Sequence, residues 1–143
     1  MREVRRSALL PYSATQIFDL VAEVERYPEF LPWCTGAAVL AREGEQVTAE
    51  LALARGRAHA RFTTRNRLVP GQYLEMRLLE GPFRVLEGRW DFLPIGEAGS
   101  RVELVMRFET QGSLAGLVLS PVFEGICSQL VDSFARRARQ IYG

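Results

Sequence analysis

The hydrophobic period of this chain changes near residue 112, and that change decides what it can fold into. From Ala37 to Gln111, strand-like stretches are separated by turn-forming segments: EGEQ (43–46), ARGRA (54–58), PGQ (70–72), EGP (80–82) and GEAG (96–99). The clearest alternation sets Val102, Leu104, Met106 and Phe108 against Arg101, Glu103, Arg107 and Glu109, the pattern of a sheet with one dry and one wet face. After GSLAG (112–116), Val122, Ile126, Leu130, Phe134 and Ala138 recur four apart, with Ile141 three further on, which is helical spacing. Ser120 and Pro121 suit the N-cap and first turn of that helix, and a start near Leu114 with a kink at Pro121 fits the same residues. A dry sheet face must be covered, and this last helix is the only long amphipathic element available. The expected class is α+β: a curved antiparallel sheet of about seven strands around a long C-terminal helix.

The N-terminal part adds a first strand over residues 2–10, ended by Pro11, and two short helices. Ser13 is a good N-cap, Gln16 completes a capping box, and Tyr12 can meet Ile17 as a staple, predicting a helix over 14–24. Pro28 is expected in the first turn of a second short helix ending near Leu31, stopped by Pro32. At 143 residues the chain fits one domain spanning 1–143. No apolar run approaches the roughly 20 residues of a bilayer crossing, and MREVRRSALLPYSA does not read as a signal peptide. Cys34 and Cys127 lack CxxC spacing and are expected as reduced thiols in a cytoplasmic protein. All 18 cationic side chains are arginine, but the net charge of +1 gives no global pull toward DNA or other polyanions.

One helix cannot fill a broad curved sheet. Small inward candidates, Ala49, Ala58, Ala60 and Gly88, stand beside Leu51, Leu53, Phe62, Met76 and Trp90 and predict a cavity between sheet and helix. Its mouth would lie near YPEFLPWCTG (27–36), whose prolines stiffen a segment dense in apolar side chains; those aromatics read either as a cap on the core or as a lid that also touches a ligand. In ARFTTRNRLV, Thr64 and Asn66 share the inner parity with Phe62 and Leu68, so each needs a polar partner: a ligand carbonyl, neighbouring backbone or a buried water. His59, the only histidine, has no nucleophile or ligand set around it and is expected at the surface; no catalytic residue, metal site or required cofactor is expected. Arg55, Arg57, Arg61, Arg65 and Arg67 form a cationic stripe on the face opposite Phe62. It reads as a contact for RNA or lipid headgroups, or as a solvated face neutralised by acids such as Glu50 and Glu75.

YPEFLPWCTG, FTTRN (62–66) and LLEGPF (78–83), in that order, resemble the coenzyme Q-binding START-like family of the polyketide-cyclase and birch-allergen superfamily, whose bacterial branch includes ribosome association toxins. The resemblance implies a helix-grip fold and a hydrophobic cavity for ubiquinone or another isoprenoid lipid, in a non-enzymatic protein that supports respiratory quinone function and touches the inner membrane peripherally. Its alternative is a ribosome-binding regulator that hinders subunit association, and the superfamily's cyclases add a third. By position it implies Tyr27, Pro28, Phe30, Leu31 and Trp33 at the cavity mouth and Gly81, Pro82 and Phe83 at a turn. Met106, Phe108, Leu130 and Phe134 complete the candidate lining.

Overall fold

A computed structural model describes all 143 residues. The order is β1 (Arg2–Leu10), α1 (Ala14–Ala22), a 3-10 turn (Val24–Glu29), β2 (Cys34–Glu43), β3 (Gln46–Arg55), β4 (Ala58–Val69), β5 (Tyr73–Glu80), β6 (Phe83–Ile95), β7 (Gly99–Thr110) and α2 (Leu114–Tyr142). The strands form one antiparallel sheet in the order β1-β7-β6-β5-β4-β3-β2, the expected helix-grip arrangement. Leu53, Phe62, Leu74, Trp90, Leu104 and Phe108 point inward and meet Phe123, Ile126, Leu130 and Phe134 of α2 in one core.

Local chemistry accounts for the elements. Ser13 Oγ accepts from Gln16 N at 3.1 Å and Gln16 Oε1 accepts from Ser13 N at 2.9 Å, the reciprocal capping box that starts α1. α1 ends at Ala22 rather than residue 24, and the second helix is a 3-10 turn that contains Pro28 near its end rather than in its first turn. Proline has no N–H with which to close an α-turn, so the backbone tightens instead. β2 begins at Cys34, earlier than Ala37, because Cys34 already pairs with Leu53.

α2 starts at Leu114 and runs through Pro121, the second of the two starts that the sequence allowed. Ser113 Oγ caps Gly116 N at 3.1 Å. Gly116 is required by space: a Cβ there would lie 1.9 Å from the Gln111 carbonyl oxygen. Gly81, at φ +148°, is required twice over, since its Cβ would fall 2.6 Å from Phe62 Cβ. An 18-residue window of α2 has mean hydropathy 1.6, apolar enough by length and composition alone to cross a bilayer, although no unbroken apolar run marks it in the sequence. Much of that apolar surface covers the sheet, while Leu114, Leu117 and Val118 in its first turns remain exposed.

Candidate functional site

The segment from Tyr27 to Gly36 forms a lid over the inner end of the sheet, held by its own backbone. Tyr27 O accepts from Phe30 N and Leu31 N, Leu31 O from Cys34 N, and Trp33 O from Ala54 N of β3. Leu31 is fully buried, Phe30 and Trp33 are half-buried, and Pro28 and Pro32 face solvent as stiffeners. The Tyr27 hydroxyl donates to the Val21 carbonyl of α1, so it is committed to the scaffold; burial holds it protonated well above the usual phenol range. The Phe30 ring stacks edge-on against Phe134 with centroids 5.3 Å apart. The Arg137 guanidinium lies 4.9 Å from the same ring's centroid and pairs with Glu29 at 2.8 Å. Arg137 therefore latches the lid to α2.

Beneath the lid is a hollow of about 50 Å³. Ten of the expected residues line it: Tyr27, Trp33, Leu51, Phe62, Thr64, Met76, Trp90, Met106, Leu130 and Phe134. Pro28, Phe30, Leu31, Leu53, Asn66, Phe83 and Phe108 do not reach it. Phe83 and Phe108 pack edge-on against Phe123, at 4.9 and 4.8 Å, in an aromatic cluster with Phe62. Leu86, Phe123, Ile126 and Cys127 also line the hollow and were not anticipated. For the three helical ones the signal was present: Leu119, Phe123, Ile126, Leu130 and Phe134 also recur at helical spacing, one residue out of phase at its start with the stripe through the half-buried Val122, and Cys127 lies four residues after Phe123 on the same face.

The hollow is far smaller than small side chains suggested. Ala49 and Ala58 are buried but do not line it, and the space above Gly88 is taken by methionines: a Cβ there would lie 2.7 Å from both Met106 Sδ and Met76 Cε. Pockets for drug-sized molecules measure about 300–1,000 Å³, so with the lid down this hollow has no room for a quinone ring. Its one polar lining residue is Thr64, whose hydroxyl donates to Asn66 Oδ1 at 2.7 Å, so the two inward polar groups are partners of each other. No carboxylate or imidazole faces it. The Cys127 thiol on its wall is pushed well above the usual thiol range by burial, and burial raises that of Cys34 as well.

The arginine stripe is only partly a stripe. Arg55 ends β3 and Arg57 lies in the hairpin turn, so β4 itself carries Arg61, Arg65 and Arg67 beside an exposed His59. Arg61 pairs with Glu50 at 3.2 Å and Arg67 with Glu45 at 3.5 Å, whereas Glu75 serves Arg89 on β6 rather than the stripe.

A curved sheet gripping one long helix, with an apolar hollow under a separate lid, is the architecture of START-like proteins. The chain belongs to the family described as polyketide cyclase / dehydrase and lipid transport, whose profile matches residues 10–135. The ribosome association toxin RatA of Pseudomonas aeruginosa is 47% identical over 140 residues, covering 98% of this chain and 97% of that one. RatA of Vibrio cholerae is 42% identical over 143 residues, covering 100% and 99%. The mitochondrial coenzyme Q-binding protein COQ10 homolog B of Xenopus laevis is 29% identical over 146 residues, covering 99% of this chain and 59% of that one. Among solved structures, a Thermus thermophilus protein superposes with TM-score 0.85 at 22% identity, covering 99% of this chain and 100% of that one. The Zhui aromatase/cyclase of a Streptomyces strain does so with TM-score 0.87 at 17% identity, covering 99% and 96%. These two share the fold.

Proposed function

We propose that this protein is a ribosome-associating regulator that hinders the joining of ribosomal subunits in the cytoplasm. The observation that carries this reading is the likeness, at 47% and 42% identity over essentially the whole chain, to proteins named for ribosome association. It takes precedence over the quinone-binding reading that the sequence motifs put first, because the quinone-binding relative is more distant and a hollow of about 50 Å³ gives a quinone no place while the lid is down. A largely apolar wall whose two hydroxyls, those of Tyr27 and Thr64, are already bonded within the protein also favours binding over catalysis as the work of this fold. Sedimentation of the purified protein with isolated ribosomal subunits tests the proposal: it should travel with one of them, and protein that stays at the top of the gradient at low salt would refute it.

A second reading, occupancy of the hollow by an isoprenoid lipid such as ubiquinone exchanged with a membrane surface, is favoured by the apolar wall and by the exposed Leu114, Leu117 and Val118. Occupancy would require the lid to lift. Mass spectrometry of a solvent extract of the native protein decides it, a stoichiometric lipid supporting it and a clean extract after exposure to added quinone opposing it.

A further inference from the structure

The outer face of the sheet is laced by cross-strand pairs of opposite charge: Arg67 opposite Glu75, Glu75 opposite Arg89, Glu87 opposite Arg107, and Arg107 opposite Glu3. It is broken by like charges at two places. Asp91 stands opposite Glu103, but each acid has its own cation, Arg89 at 3.1 Å and Arg101 at 2.8 Å. The other place is Arg65 of β4, directly opposite Arg77 of β5. Both are exposed, and neither makes an ion pair or a side-chain hydrogen bond. Glu87 faces Arg77 across the next strand but leans toward Arg107, 3.9 Å away. Like charges directly opposed weaken a sheet, and neither arginine holds an acid that would offset the opposition. Arg77 also borders a groove of about 360 Å³ on the same face, lined by Arg5, Arg89, Arg107 and Val105 together with Glu75 and Glu87. Those other arginines are held by Glu3, Glu75 and Glu87, so Arg77 is the unpaired cation of the groove, with Arg65 just outside it.

Resting on the ribosome-association reading, we propose that Arg65 and Arg77 form a two-arginine clamp for the phosphate backbone of ribosomal RNA, with the strand seated along this groove. Two guanidinium forks, with five N–H donors each, side by side suit phosphate oxygens, and a bound phosphate relieves the repulsion between them. The clamp makes the interaction surface the convex face of the sheet, opposite the hollow.

The test compares the wild type with R65Q/R77Q, and with R136Q/R139Q on the exposed end of α2 as a control. Binding is measured to ribosomal subunits and to protein-free ribosomal RNA over a salt series. The double variant should bind both at least tenfold more weakly at about 0.1 M salt, with a log–log salt slope shallower by about 1.5, near 0.7–0.9 for each phosphate no longer neutralised. It should also melt at a higher temperature than the wild type, which excludes misfolding as the cause. A double variant that keeps wild-type affinity and slope on the subunits overturns the clamp and leaves ribosome association standing. Loss on the subunits without a slope change, and with no wild-type binding to free RNA, overturns RNA as the partner in favour of ribosomal protein. If the wild type ignores the subunits yet binds RNA through the pair, the clamp holds and the ribosome reading fails; if it binds neither, both fall.

Discussion

Replacing Arg137 by alanine should release the lid without unfolding the sheet. The side chain is 14% exposed and makes two contacts to the lid: the 2.8 Å pair to Glu29, which is half-exposed at 49%, and the stack 4.9 Å from the Phe30 centroid. Solvent around Glu29 discounts the ion pair to about 0.5–1 kcal/mol. The stack, with its guanidinium largely out of water, contributes about 1 kcal/mol. Their sum, about 1.5–2 kcal/mol, corresponds to a ten- to thirtyfold rise in the open population of the lid, about tenfold per 1.4 kcal/mol. Native-state hydrogen exchange reads this at the amides of Leu31 and Cys34, which bond to Tyr27 O and Leu31 O, both at 2.9 Å. Those two should exchange ten to thirty times faster, while Leu104 and Phe108 in the sheet keep their rates. R137K, which retains charge but loses the planar fork, should fall between. Equal acceleration throughout the sheet, or none at Leu31 and Cys34, would refute the latch.

Gly116→Ala puts a methyl group 1.9 Å from the Gln111 carbonyl oxygen, a backbone atom that cannot swing aside, so α2 must shift or shed its first turn; urea denaturation should show a loss of about 1–3 kcal/mol. The buried thiols set a pH dependence. The folded-state pKa of Cys127 is raised above its unfolded value, near 8.5, so above that pH the unfolded chain holds fewer protons than the folded one and stability falls as pH rises. The decline should approach about 1.4 kcal/mol per pH unit for this group, and Cys127→Ala should flatten it, whatever its effect at neutral pH; an unchanged slope would contradict the assignment. Ser100→Ala removes a buried hydroxyl that makes no hydrogen bond, so it should leave stability unchanged or raise it by up to about 1 kcal/mol, read as a shift in Tm.

The strands, their turns and the cover of one helix were legible because each rests on local signals, alternation and glycine-bearing breaks, that tertiary packing did not override. The inward parity of Phe62, Thr64 and Asn66 followed from the same alternation. The size of the hollow was not legible, since it depends on where two flexible methionines settle over Gly88, a choice that strand periodicity does not constrain. Arg137 stands near the C-terminal end of α2, where any cation suits the helix dipole, so nothing local marks it out, and its contacts with Glu29 and Phe30 exist only after the chain ends have met. The opposition of Arg65 and Arg77 depends on a register shift between Thr63 and Thr64, which moves every later pair on β5 by a residue and leaves no mark in composition.

Ribosome association itself is measured most directly by mixing salt-washed small and large subunits, with and without excess purified protein, and following particle formation by light scattering. The account predicts a dose-dependent fall in joined particles that R65Q/R77Q weakens. A scattering trace identical with and without the protein would contradict it.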